Sequence, residues 1–169
     1  MGNTYNNFDI IRVIPTLTED SAYADGDVLF TATEIPNAVI GNGGCSKLLG
    51  GYLIDSDRDS FTAHIIFTEK NTAIGTIHNT ANISDADFRA IGFCGALMYT
   101  HDTAELTDLD NIRGSKLESL SASNESVEPI LLQAEAGSTS VYVSAVLASG
   151  TPTFANTDDI QLVLHIQKK

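Results

Sequence analysis

Apolar and polar residues alternate along several short runs of the chain, and this alternation is typical of β-strands with one buried face. In residues 160–166, for example, every second position is isoleucine or leucine. Clusters of glycine, proline and polar residues separate the runs, as expected for turns. The pattern predicts strands over residues 8–14, 47–54, 61–67, 93–99, 127–134, 138–147 and 160–166, and a further short strand that begins at residues 28–30 and is stopped by Pro36.

Roughly seven to nine short strands at this spacing indicate an all-β fold, an antiparallel β-sandwich or jelly-roll-like arrangement with one short helix. The strands at 47–54 and 61–67 are expected to form an antiparallel pair joined by the aspartate-rich turn between them. The strands at 138–147 and 160–166 are expected to form the final pair of the fold.

The short helix is predicted from its capping residues. Ser84 is suited to the N-cap, and Asp87 lies at the third helical position of a capping box. Ile83 and Phe88 have the spacing of a hydrophobic staple, and Gly92 is expected to end the helix after about two turns. We expect this helix to plug one end of the sheets.

Length and composition favour a single folded domain over residues 1–169. The apolar fraction of 43% and the charged fraction of 18% are those of a folded protein rather than a disordered one. Two segments are expected to lie outside the sheets: an N-terminal arm at about residues 1–7 and a long, acidic, poorly periodic loop at about residues 101–124.

The formal net charge is −13, and the nine Lys and Arg residues are scattered singly apart from the pair Lys168 and Lys169. This distribution argues against binding to nucleic acids or to anionic membranes. The first residues lack the basic and apolar regions of a secretory signal, and no apolar run reaches membrane-spanning length.

The spacing of Asp55, Asp57 and Asp59 is similar to the first half of a calcium-binding EF-hand loop. Ser60 stands where that loop requires glycine, and Ile66 stands where it requires glutamate, which excludes an EF-hand. The three aspartates therefore form either a weak surface calcium site or a solvated turn. No cofactor is expected.

No catalytic motif is visible around the four histidines, so no catalytic residue is predicted and the chain is expected not to be an enzyme. Cys45 and Cys94 are predicted to be small buried side chains, although the sequence leaves open whether they form a disulfide. A nucleophile-base pair of Cys94 with His78 is the catalytic alternative. The apolar residues around Cys94 argue against it.

The acidic segment offers candidate partner-binding residues, because long loops are often functional. A solvated loop is the alternative interpretation. On the docking interpretation, deleting residues 102–124 should leave the fold intact and weaken attachment to a partner. The candidates are Asp102, Glu105, Asp108, Asp110, Arg113 and Lys116.

Several stretches, taken in order, resemble small virion structural proteins of tailed bacteriophages. The first, Ile-Pro-Thr-Leu, leads into Ser-Ala-Tyr-Ala-Asp-Gly-Asp-Val-Leu-Phe, and Glu-Ile-Pro-Asn-Ala-Val follows. Ala-Gly-Ser-Thr-Ser-Val-Tyr-Val and Gly-Thr-Pro-Thr-Phe come later. These stretches occupy residues 14–17, 21–30, 34–39, 136–143 and 150–154. The resemblance is one of turns and strands, so it assigns no role to an individual residue.

The resemblance implies a capsid decoration or cement protein that is made in the host cytoplasm and lies on the exterior of the virion. It would bind the major capsid protein, stabilise contacts between its subunits, and form a homo-oligomer, with a trimer favoured. A tail or fibre protein is the alternative within the virion. From other classes, a calcium-assisted carbohydrate-binding module and a hydrolase remain alternatives.

Overall fold

The computed structural model describes residues 7–101, 106–120 and 129–168, and for residues 106–109 it describes the backbone alone. The elements, in chain order, are β1 (Phe8–Val13), β2 (Val28–Ile35), β3 (Cys45–Asp55), β4 (Phe61–Thr68), α1 (Asp85–Ala90), β5 (Phe93–Thr100), β6 (Leu106–Leu109), β7 (Ile112–Lys116), β8 (Glu118–Ser119), β9 (Ile130–Gln133), β10 (Val141–Gly150) and β11 (Ile160–Lys168).

These strands form two antiparallel sheets, which confirms the all-β sandwich with one short helix. Sheet A has the order β1-β11-β3-β7-β6, and β9 pairs with the part of β3 that β7 leaves open. Sheet B has the order β2-β10-β4-β5-β8. The described helix is too short and too polar to cross a lipid bilayer.

The core lies between the sheets and follows the alternation in the sequence. In β11, Ile160, Leu162, Leu164 and Ile166 are buried, and the residues between them are partly exposed. In β4, the apolar positions of the alternation, Phe61 among them, are equally buried. Burying an apolar side chain of this size stabilises a fold by roughly 1.5–3 kcal/mol, so these rows are a main source of its stability.

The predicted helix caps are confirmed, whereas the predicted packing of the helix is wrong. Ser84 Oγ accepts a hydrogen bond from the Asp87 backbone N–H at 3.1 Å, and Gly92 follows the helix with a φ of 67°, a conformation that favours glycine. No residue of α1 is buried. Phe88 lies on the surface against Phe93, with ring centroids 5.6 Å apart, so the helix does not plug the sandwich.

The two predicted hairpins are wrong, because both connections cross between the sheets. β3 pairs with β11 in sheet A, and β4 pairs with β10 in sheet B. The chain therefore crosses from sheet A to sheet B through residues 56–60 and returns through residues 151–159. Because the strands flanking the two connections are neighbours in each sheet, the connections run side by side at one end of the sandwich.

The prediction of an acidic loop at residues 101–124 is wrong for the middle of that segment, which contains three strands. β6 and β7 form a hairpin, β7 pairs with β3, and β8 pairs with β5 in the other sheet. Leu117, between β7 and β8, is fully buried, and its N–H donates to the Gly51 carbonyl at 2.9 Å. Deleting residues 102–124 would remove strands from both sheets, so that deletion cannot leave the fold intact.

The predicted N-terminal arm lies outside the described residues apart from Asn7. The Asn7 carbonyl accepts a hydrogen bond from the Lys168 backbone N–H at 2.6 Å, which continues the pairing of β1 with β11. The strand pairing of sheet A thus begins at the first described residue.

Candidate functional site

The three aspartates of the predicted calcium site connect the two crossing segments. Asp55 accepts hydrogen bonds from the backbone N–H groups of Asp57 and Asp59, at 2.9 and 2.7 Å. Asp59 in turn accepts from the Thr153 N–H at 3.0 Å, and Asp57 accepts from the Ala155 N–H. These carboxylates therefore fasten residues 56–60 to residues 151–159.

Burial raises the pKa of all three carboxyl groups. The pKa of Asp55, which is fully buried, rises from 3.8 to about 6, although its bonds from backbone N–H groups oppose the rise. At Asp57, burial is the largest cause of the rise in pKa, and a hydrogen bond and negative charge from Asp159 add to it. At Asp59, burial again raises the pKa, and the Arg113 guanidinium opposes it.

The three carboxylates are engaged in hydrogen bonds with the protein backbone. Within the described residues, no group of three or more His, Cys, Asp or Glu side chains has the geometry to hold a metal ion. Asp55, Asp57 and Asp59 bind backbone N–H groups instead, as carboxylates do in tight turns. The three aspartates thus have a structural function.

The candidate partner-binding residues that the structure describes lie on the hairpin of β6 and β7. Asp102 and Glu105 lie outside the described residues, and Asp108 lies in β6, where only the backbone is described. Asp110 is exposed in the turn between β6 and β7. Arg113 Nη1 donates to the Asp59 carbonyl and to Ser60 Oγ, so it supports the aspartate-rich connection. The remaining candidate, Lys116, is exposed on β7 and is paired in register with Tyr52.

Both cysteines are free thiols, and the buried position predicted for Cys45 is wrong. Cys45 begins β3 in the outward phase of that strand and is exposed. Cys94 is half-buried, burial raises its pKa, and its Sγ donates to the carbonyls of Gly92 and Gln133. A thiol with a raised pKa is a poor nucleophile, so the environment of Cys94 does not favour the catalytic alternative.

His78 is paired with Ser21 rather than with Cys94, a contact that the sequence does not indicate. Ser21 Oγ lies 3.0 Å from His78 Nε2, and the imidazole packs edge-on against the Tyr23 ring. In a catalytic Ser-His pair, a further group holds the other nitrogen of the imidazole. Nδ1 of His78 is buried and has no hydrogen-bond partner among the described residues. This serine therefore lacks the arrangement that activates a nucleophile.

We therefore expect a fluorophosphonate probe to leave Ser21 unlabelled, since none of the residues that the structure describes orients His78 as a base. Intact-mass measurement after overnight incubation would check this, with trypsin in a parallel tube as the positive control. A mass shift that disappears in Ser21→Ala would contradict the expectation and favour a hydrolase.

The outer face of sheet A is the most distinctive surface of the molecule. Residues directly opposite each other in antiparallel strands project to the same side of a sheet, so the strand register defines this face. One row across the sheet contains Phe8, Gln167, Lys47 and Leu131, from β1, β11, β3 and β9 respectively. Another row contains Arg12, Val163, Tyr52 and Lys116, from β1, β11, β3 and β7 respectively.

Large apolar side chains of this face are open to solvent. The exposed fractions are 56% for Phe8, 54% for Ile10 and 57% for Leu131. Leu49 is the extra residue of a bulge in β3, between Leu48 and Gly50, and it projects to the same side. An open groove of about 530 Å³ is lined by Phe8, Asp9, Ile10, Leu49, His165 and Ile166.

The charge of this face is opposite in sign to that of the whole chain. At the outward positions of β1, β3, β7, β9 and β11, the charged side chains are Arg12, Lys47 and Lys116, and none is acidic. Asp9 also lines the groove, and its carboxylate forms an ion pair with Lys168 at 2.5 Å. The face is therefore apolar and basic on a protein with a net charge of −13.

The sequence contains a signal for this face that strand prediction alone does not interpret. In β1, apolar residues occupy both phases of the alternation: Ile11 and Val13 face inwards, whereas Phe8 and Ile10 face outwards. A strand at the edge of a sandwich needs only one apolar face, so a second apolar face indicates a contact surface.

Family models, curated proteins and solved structures were compared with this chain, and none matched. The fold and the surfaces described above therefore define it only as an all-β sandwich protein.

Proposed function

We propose that this chain is a non-enzymatic structural protein of a tailed-bacteriophage virion, a decoration protein that binds the outer capsid shell. The resemblance of the residues at 14–39 and 136–154 to small virion proteins suggests the setting. The observation that carries the proposal is the apolar outer face of sheet A. A shell protein needs such a surface in order to bind neighbouring subunits.

The sandwich suits this role for a physical reason. Its two connections are fastened to each other by Asp57 and Asp59, so the end of the sandwich is held rigidly. A preformed surface loses little conformational entropy on binding, which favours affinity. The strong negative charge of the rest of the molecule favours solubility before assembly and an outward orientation on the shell, away from packaged DNA.

In this proposal the partner is the major capsid protein, and the decoration protein stabilises contacts between its subunits. A homo-oligomer, with a trimer favoured, would match local threefold positions of an icosahedral shell. The proposed location is the exterior of the virion.

The test uses particles produced from the genome that encodes this chain. Particles lacking this protein are mixed with the purified chain, sedimented, and imaged by cryo-electron microscopy. We expect the chain to co-sediment with the particles and to add density to the outer surface of the shell. Density on the tail would favour the tail or fibre alternative, and absence from every part of the particle would refute a virion role.

A further inference from the structure

We propose that the outer face of sheet A is the surface through which this chain binds its partner, and that the partner's contact patch is an apolar protein surface bearing carboxylates. This inference rests on the proposed function only for the choice of the capsid shell as the partner to be tested.

Exposed apolar side chains cluster around the groove on this face. Phe8 and Ile10 on β1 border the same groove as Leu49 on β3, and the row that begins at Phe8 ends at Leu131 on β9. Phe8, Ile10 and Leu49 thus form a contiguous exposed apolar cluster around the groove, and Leu131 lies further along the same face, beyond Gln167 and Lys47. Contiguous exposed apolar surface of this kind marks protein interfaces.

The charged side chains of this face complement an acidic partner surface. Three of the nine Lys and Arg residues lie at outward positions of this face, whereas the chain contains 22 acidic residues. Arg12, Lys47 and Lys116 lie among outward positions of β1, β3, β7, β9 and β11 that include no acidic residue, which favours an approaching acidic patch and orients the molecule as it binds.

A second copy of this chain is a poor occupant of the face. In a symmetric face-to-face dimer, the same surface patch of both copies meets. Arg12, Lys47 and Lys116 would then share the interface with an identical set of cations, and the carboxylate that lines the groove, Asp9, is already paired with Lys168. Like charges placed together in an interface oppose association.

A nucleic acid is also disfavoured. The three cations lie on three different strands, β1, β3 and β7, and do not form a continuous basic stripe. The charge of the whole molecule, −13, would repel a phosphate backbone. A protein surface with few charges is the better match to a face that is mostly apolar.

The test measures binding of the full chain to undecorated shells, with variants that change the face in two ways. Arg12→Glu with Lys47→Glu reverses its charge, and Ile10→Ser with Leu131→Ser removes apolar contacts. We expect each double variant to weaken binding by roughly tenfold or more, because the charges and the apolar side chains act in the same interface.

Each variant has a matched control of the same chemistry. Lys70→Glu with Arg89→Glu changes the net charge equally, and both residues lie outside sheet A. Ile40→Ser with Leu120→Ser removes exposed apolar side chains that are also outside the strands of sheet A. We expect both controls to bind within roughly twofold of the unchanged chain, as is usual for surface substitutions away from an interface. Thermal unfolding of all variants would verify that each one folds.

The outcomes separate the inference from the proposed function. If the unchanged chain binds shells and the face variants bind as well as their controls, the inference is wrong and the proposed function stands. If the unchanged chain binds no shell, the proposed function fails, and the inference fails with it. Self-association or single-stranded DNA binding that the face variants abolish would assign the face to another occupant and overturn the inference.

Discussion

Replacing Phe154 with alanine is expected to lower the free energy of unfolding by about 3–5 kcal/mol, the usual cost of deleting a buried phenylalanine side chain. Phe154 is fully buried although it lies in the connection between β10 and β11. Its ring contacts Tyr23 and Phe61 edge-on, with centroids 5.8 and 6.0 Å away. The substitution would therefore leave a cavity where the crossing segment meets the core.

The measurement for Phe154→Ala is urea unfolding at constant pH together with thermal unfolding. For a chain of this size, we expect the melting temperature to fall by roughly 10 °C. Phe88→Ala is the matched control, because Phe88 is 39% exposed and lies on the surface of α1. The control should cost about 1 kcal/mol or less. Equal losses in the two variants would show that residue 154 is not part of the core.

The second large effect is a loss of stability as the pH rises, caused by Asp55. Its pKa is about 6 in the folded protein and 3.8 in its ordinary environment, so the folded state binds the proton more tightly than the unfolded state. The extra stability is fully present below about pH 3.8 and is lost as the pH rises through about 6. The difference between the two values corresponds to about 3 kcal/mol in total, roughly half of it lost between pH 5 and pH 7.

Urea unfolding at pH 5, 6 and 7 would test this expectation with two variants. In Asp55→Asn the titrating group is gone, so stability should fall less steeply than in the unchanged chain. Some pH dependence should remain, because the pKa values of Asp57 and Asp59 are also raised. Asp25→Asn, at an exposed turn, changes the net charge equally and should retain the original slope. Stability that rises between pH 5 and pH 7 in the unchanged chain would contradict the assignment.

The sequence predicts elements well where the signal is local. The alternation in residues 160–166 locates β11, and Ser84 and Gly92 locate the ends of α1. β6 to β8 were missed because they are short, polar strands whose pairing depends on β3 and β5 rather than on their own periodicity. Alternation is therefore a reliable signal for a strand that faces the core and a weak one for a short strand near an edge.

Strand partners and the role of the aspartates could not be predicted, because both depend on contacts between distant residues. β3 and β4 are close in sequence and suggest a hairpin, yet each pairs with a strand near the other end of the described chain. Asp59 binds the N–H of Thr153, 94 residues away, and Asp57 binds that of Ala155, 98 residues away. The local spacing of three aspartates suggests a metal site because it contains no information about these distant backbone partners.

The place of β11 in sheet A constrains the order of events during synthesis. β11 lies between β1 and β3 and pairs with both, so β1 has no described strand partner in sheet A, and β3 lacks one of its partners, until residues 160–168 have been translated. Pairings across so long a stretch of chain are formed late and slowly. Until then the apolar surface of β1 is unprotected, and a nascent chain stalled before β11 would be a target for chaperones and aggregation.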